Sequence, residues 1–144
     1  MKTQIPIYRA KKIDSDEYIN GTYVSSFYKY YIANSNCIHE NDYNQIVFDE
    51  GYFEEIDPST LSIHFPDMLD SEGNEVFASL SEDGKGGDIL LYDDKRDIRE
   101  MVCLYKNYYI DLKPINIILD SFNFKGTTLN ERLKVTGIQK WATN

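Results

Sequence analysis

β-favouring runs recur along this chain, and each is cut off by a turn signal roughly every 8–15 residues. IPIYRA (5–10), FYKYYIA (27–33), NQIVFDE (44–50), GYFEEI (51–56), DILLYDD (88–94) and VTGIQKW (135–141) all read as strands. Nothing alternates strand with long helix, so no βαβ unit is expected. The pattern predicts a mainly β fold, with antiparallel strands in a barrel-like or two-sheet arrangement and one or two short helices. No repeat or linker divides the 144 residues, so residues 1–144 are expected to form one domain. Twelve Tyr, seven Phe and one Trp supply the large side chains a core needs.

Local signals refine the layout. Asn20-Gly21 sits between β-favouring residues, and Asn-Gly suits the two positive-φ positions of a type I′ hairpin turn. NQIVFDE and GYFEEI read as a strand pair or one bulged strand, after a polar loop over 34–42. Asp57 followed by Pro58 predicts a single helical turn with Asp57 as its cap, stopped by Pro66. DSEGNEVFA (70–78) predicts a turn leading into a strand. MVCLYKNYYIDL (101–112) reads as a hairpin bent at Lys106-Asn107. INIILDSFNF (115–124) fits either strand or short helix. Thr128 and Glu131 fit a capping box, which would start a second short helix.

SEDGKGGDILLYDD (81–94) holds three glycines, a lysine and five acids. A phosphate loop needs Gly-Lys-Ser/Thr leading into a helix. Here Lys85 precedes Gly86-Gly87, no hydroxyl residue follows, and the flanking acids would repel an anion. A flexible loop entering a strand is the expected role. Asp67, Asp70, Glu72, Asn74 and Glu75 lack the glycine placement of a calcium loop. Two Cys and two His would all be needed for one structural zinc site, so no metal and no cofactor are expected. Cys37 and His39 are two residues apart, but no third group marks them as a catalytic pair, and no catalytic residue is assigned. Cys103 lies in an apolar run and reads as core, and Trp141 near the C-terminus reads as core or lid packing, with an exposed partner anchor as the alternative.

Charge gives the only functional lead. The net charge is −9 and it is unevenly spread. Residues 40–100 carry eighteen acids against four bases, while both flanking segments are mildly basic. Direct nucleic-acid binding needs phosphate-neutralising Lys and Arg, so it is not expected. No stretch is apolar enough for a leader or a membrane span, and two cysteines do not make a disulfide framework; a reduced, cytoplasmic protein is the expectation. The charge layout predicts a non-enzymatic binding protein whose acidic face meets a basic or nucleic-acid-handling host protein. Glu54, Glu55, Asp57, Asp83, Asp88, Asp93, Asp94 and Asp97 are the candidate contacts, with carboxylates at phosphate-like spacing as one form such a face could take. The alternatives are a homo-oligomer built on an exposed apolar patch including Trp141 or the Tyr28–Tyr31 group, and a small enzyme with a pocket joining Cys37/His39 or a cluster of acids.

The segment from Ile56 to Leu90 resembles the middle of the YopX family, small proteins of phages, prophages and related mobile elements. The matching residues are Pro58, Thr60, Leu61, Leu69, Asp70, Gly73, Val76 and Phe77, then Gly87, Asp88 and Ile89. Arg9-Ala10-Lys11 ahead of Tyr18 and Gly21 resembles the family's N-terminal stretch, and VTGIQ loosely resembles its closing strand. SIHFPDM (62–68) departs from the family pattern, and ASLSEDGKG (78–86) looks like a loop inserted before Gly87. The resemblance implies a mainly β, barrel-like fold and a mobile-element setting. It implies no activity and carries over no catalytic residue.

Overall fold

The structure is a computed structural model, and it describes residues 5–33, 38–40, 42–48, 53–93, 97–120 and 133–140. The described chain is mainly β. Its strands are β1 (Ile7–Lys11), β2 (Tyr18–Ser26), β3 (Lys29–Ala33), β4 (Ile38–Glu40), β5 (Ile46–Phe48), β6 (Phe53–Glu55), β7 (Ser62–His64), β8 (Ala78–Ser79), β9 (Asp88–Asp93), β10 (Asp97–Lys106), β11 (Tyr109–Asp120) and β12 (Leu133–Ile138). Ten form one sheet in the order β12-β9-β10-β8-β7-β1-β2-β3-β6, with β11 also paired to β10. β4 and β5 make a separate two-stranded sheet. The short β8–β10 contact is parallel; the other strand pairs are antiparallel.

The large sheet does not close into a barrel, but one end curls. Ile56 bridges Lys12, Ile13 N–H donates to the Glu55 carbonyl (3.0 Å), and Asp57 N–H donates to the Lys11 carbonyl (2.9 Å). These bonds bring the chain after β6 back against the end of β1. Ala10, Ile32, Ile56 and Leu61 are buried inside this curl, with Tyr8, Ile19, Tyr23 and Tyr30 packed around them. The period-two alternation of a strand sends Val24 and Tyr31, which face each other across β2 and β3, to the opposite, outer side. A second cluster contains Ile63, Met68, Val76, Leu90, Met101, Cys103 and Leu133. Tyr8 packs on both clusters and joins them.

Several sequence expectations are corrected. Asn20-Gly21 is not a turn: β2 runs straight through it, with Asn20 opposite Arg9 and Gly21 opposite Tyr8. A Cβ at Gly21 would collide with the Ala33 carbonyl, so the glycine serves a close strand approach. The hairpin turn comes later, at Phe27-Tyr28. β5 pairs with β4 and β6 pairs with β3, so these two described strands are not each other's partners. β4 also places a strand within the stretch read as a polar loop. Residues 115–120 belong to β11, which makes them strand. The register of β11 on β10 shifts between Glu100 and Met101, and Pro114, which has no N–H to donate, falls opposite Met101 at that shift.

Other expectations hold. Pro58–Thr60 form a 3-10 turn, and the Asp57 carboxylate caps it by accepting from the Ser59 N–H (3.0 Å) and hydroxyl (2.7 Å). The Lys106-Asn107 bend is displaced by one residue, to Asn107-Tyr108. The capping box at Thr128 and Glu131, Cys37 and Trp141 lie outside the described residues.

Candidate functional site

The turn 81–87 is not a free loop. Gly86 N–H donates to the Gln139 carbonyl (2.6 Å), and the Ser79 hydroxyl donates to the Lys85 carbonyl (2.8 Å). Gly86 has φ +86°, and a Cβ there would collide with the Thr60 backbone. The Gly86 carbonyl in turn accepts from the Arg9 guanidinium (2.9 Å). The glycines let the backbone press onto Arg9 and deliver Asp88 to it.

Asp88 is therefore not a surface contact. Only 2% of it is exposed, because β9 carries it inward to meet Arg9 at 2.7 Å. Its second oxygen accepts from the Phe77 N–H (2.8 Å), and the guanidinium lies 4.4 Å from the Phe77 ring centre. Burial pushes the Asp88 carboxyl up, against the pull of Arg9 and the Phe77 N–H. Next to it, His64 is buried with Nδ1–H donating to the Val76 carbonyl (2.9 Å). This is a structural polar knot beneath the sheet.

Several of the other candidate acids are held in local contacts, and Lys85 brings Asp57 beside the turn that carries Asp83. Glu54, Glu55 and Asp57 each lie within ion-pair distance of a lysine: Lys12 at 4.0 Å, Lys29 at 3.6 Å and Lys85 at 3.9 Å. Burial raises the Asp57 carboxyl, but the Ser59 hydroxyl and N–H, helped by Lys85, outweigh it and hold the group below its ordinary value. Asp83 accepts from the Lys85 N–H (3.0 Å) within the 81–87 turn. Asp93 is exposed at the end of β9. Asp97 begins β10, and Asp94 lies outside the described residues.

Two hairpin tips stand out instead. β2 and β3 are joined by Phe27-Tyr28, with φ +51° and +65°. β10 and β11 are joined by Asn107-Tyr108, with φ +51° and +71°. Both are two-residue turns with both central residues left-handed, the pattern that Asn-Gly adopts most cheaply. A bulky residue there is strained by about 1–2 kcal/mol. The strain is not offset by packing: Phe27 is 94% exposed, Tyr28 102% and Tyr108 90%, with Tyr109 next to it at 67%.

Each tip overhangs an open groove. At the β2–β3 end the groove is about 480 Å³, lined by Val24, Ser26, Phe27, Tyr31 and Phe53, with Tyr31 and Phe53 edge to face at 6.4 Å. At the β10–β11 end it is about 380 Å³, lined by Phe65, Met68, Tyr105, Tyr108, Tyr109 and Ile110, with Asp67 at its rim. The pairing senses fix their relation. β1 runs in the same sense as β10, through the parallel β8 and the antiparallel β7, and β2 runs opposite to β1. The two tips consequently point toward opposite ends of the sheet.

Sequence reasoning singled out Tyr28–Tyr31 as an apolar patch but missed Phe27, Tyr108 and Tyr109 as a set. The available signal was a pair of matched β runs separated by two residues, YVSS-FY-KYYI, which reads as a hairpin once Asn20-Gly21 is set aside. No family model, curated protein or solved structure matches the chain. Among the described residues no group of three His, Cys, Asp or Glu side chains could hold a metal ion, and no helix is long and apolar enough to cross a membrane. Cys103 is fully buried, and burial pushes its thiol far above the ordinary value, so it is not poised as a nucleophile.

Proposed function

We propose that this chain is a non-enzymatic binding protein that captures a basic protein partner with the aromatic tip of the β10–β11 hairpin. One observation carries the reading: Tyr108 is held out in solvent at a left-handed turn position that disfavours a bulky side chain, with exposed Tyr109 beside it at the start of β11. Tyrosine brings large amphipathic contact area at low entropic cost and is enriched among interface anchors. Around the tip, exposed Asp67 and Asp111 outnumber exposed Lys106, and the chain as a whole carries −9. That charge steers a basic partner toward the molecule, and the tyrosines then hold it. The grooves beside both tips are open and shallow, which favours a protein surface over an enclosed small substrate. The mobile-element setting rests on the resemblance of Ile56–Leu90 alone.

The test is affinity capture from a lysate of the native host, with wild type and a Tyr108→Gly/Tyr109→Ser variant run in parallel. Each bait is run at about 0.05 M and about 0.5 M salt. A basic protein held by wild type at low salt, released at high salt and lost with the variant is the expected result. Equal capture by both baits would place the docking surface elsewhere.

A further inference from the structure

The turn that follows β7 sets an acid at the mouth of the β10–β11 groove. Met68 N–H donates to the Phe65 carbonyl (2.9 Å), Phe65 N–H donates to the Met68 sulfur (3.4 Å), and Leu69 N–H donates to the Asp67 carbonyl (3.1 Å). These bonds hold residues 65–69 and leave the exposed Asp67 carboxylate outside them. Other acids differ in this respect: Asp57, Asp70, Asp83 and Asp88 all accept from N–H groups of the chain. Among the described residues, no donor and no cation lies within bonding distance of the Asp67 side chain. Among the described residues lining the groove, Asp67 alone is charged.

Four aromatic rings stand around it. They belong to Phe65, Tyr105, Tyr108 and Tyr109, with Phe65 and Tyr105 tilted at 49° and 5.5 Å apart. Ring faces attract a cation, and a carboxylate without a partner attracts it more strongly. The two long cationic side chains are not equivalent in such a place. A guanidinium is planar and weakly hydrated, so it stacks on a ring and forks onto a carboxylate. An ammonium is compact and strongly hydrated, and it gives up more on entering an aromatic groove. The chain holds one of its own guanidinium groups in this manner: Arg9 lies 4.4 Å from the Phe77 ring centre and 2.7 Å from Asp88. The groove presents the same two kinds of group to solvent.

We infer that the β10–β11 groove is an arginine site, which takes an arginine side chain of the basic partner onto Asp67 among the aromatic rings, with its aliphatic stem on Met68 and Ile110. The inference rests on the reading of the Tyr108 tip as a docking element and names what that tip selects. Long-range steering by the net charge of −9 treats lysine and arginine alike. A preference between them therefore reports the groove and not the field.

Fluorescence anisotropy with two labelled peptides of equal length and charge, one alternating glycine with arginine and the other glycine with lysine, tests this on the full chain. At about 0.05 M salt wild type should bind the arginine peptide about tenfold tighter than the lysine peptide. Asp67→Asn, an exposed and nearly isosteric change, should bring the two within about twofold of each other. Asp111→Asn removes the same charge outside the groove lining, and should weaken both peptides alike and leave the preference in place. Equal binding of the two peptides by wild type, or binding of neither, overturns the arginine site, and so does a preference that survives Asp67→Asn. None of these outcomes touches capture by the tip, which the Tyr108→Gly/Tyr109→Ser comparison in lysate decides independently.

Discussion

Arg9 and Asp88 are 79 positions apart in sequence and 2.7 Å apart in space. The Asp88 carboxylate accepts from Arg9 and from the Phe77 N–H, so truncating it would strand both a buried guanidinium and a backbone donor. Asp88→Ala should lower unfolding free energy by about 3–5 kcal/mol in urea titration. Replacing both partners, as Arg9→Met/Asp88→Leu, should cost much less, because neither charge is left behind. Gly86→Ala should cost at least about 2 kcal/mol, through left-handed strain and collision with Thr60. None of this was legible in the sequence. DILLYDD reads as a strand entered through an acid, and only the long-range pairing of β1 with the 81–88 turn turns Asp88 from a surface residue into a buried one. The Asp57 cap, by contrast, was fully legible, because its donors lie two residues away.

At the scale of elements, the turn after Asp70 shows how short-range and long-range bonds combine. Asp70 accepts from the N–H groups of Glu72 (2.9 Å) and Asn74 (2.8 Å) within the turn. It also accepts from Val135 N–H (3.0 Å), and the Ser71 N–H donates to the Leu133 carbonyl (2.9 Å). The turn thereby fastens β12, whose preceding residues 121–132 lie outside the described chain. Burial pushes the Asp70 carboxyl up, but the Val135, Asn74 and Glu72 donors outweigh it, and the group lies below its ordinary value of 3.8. A carboxyl lowered on folding stabilises the native state above its unfolded pKa. That stability is lost as pH falls through the folded value. Asp88 has the opposite sign: its pKa is raised, so ionising it costs stability as pH rises through the folded value. Asp70→Ala should therefore lower unfolding free energy by about 1–3 kcal/mol at neutral pH, with the deficit shrinking near pH 3. Urea titrations of both proteins at the two pH values measure the difference. A turn over 70–75 was legible from Gly73-Asn74, but its attachment to β12 was not, since nothing local marks Val135 as a donor.

At the scale of the whole molecule, strand content was legible and strand order was not. Alternation and turn chemistry mark strands, but they do not say that β6 returns to β3 or that β5 turns aside to β4. The acidic middle of the chain was legible as a count. The count did not show that Lys12, Lys29 and Lys85 stand beside Glu54, Glu55 and Asp57. What the fold displays is a pair of aromatic tips at opposite ends of the sheet. Partner capture should weaken as salt rises from about 0.05 M to about 0.5 M, measured by affinity capture.

The central claim is that these aromatics are held at the tips for contact with other molecules and contribute nothing to folding. Equilibrium urea unfolding of Phe27→Asn/Tyr28→Gly and of Tyr108→Gly, at concentrations where each protein is monomeric, tests that claim without knowledge of any partner. Relief of left-handed strain exceeds the added flexibility of glycine, so both variants should be more stable than wild type, by roughly 0.5–1 kcal/mol. A loss of stability of that size or more in either hairpin would show that its aromatic tip holds the fold together, and would contradict the account.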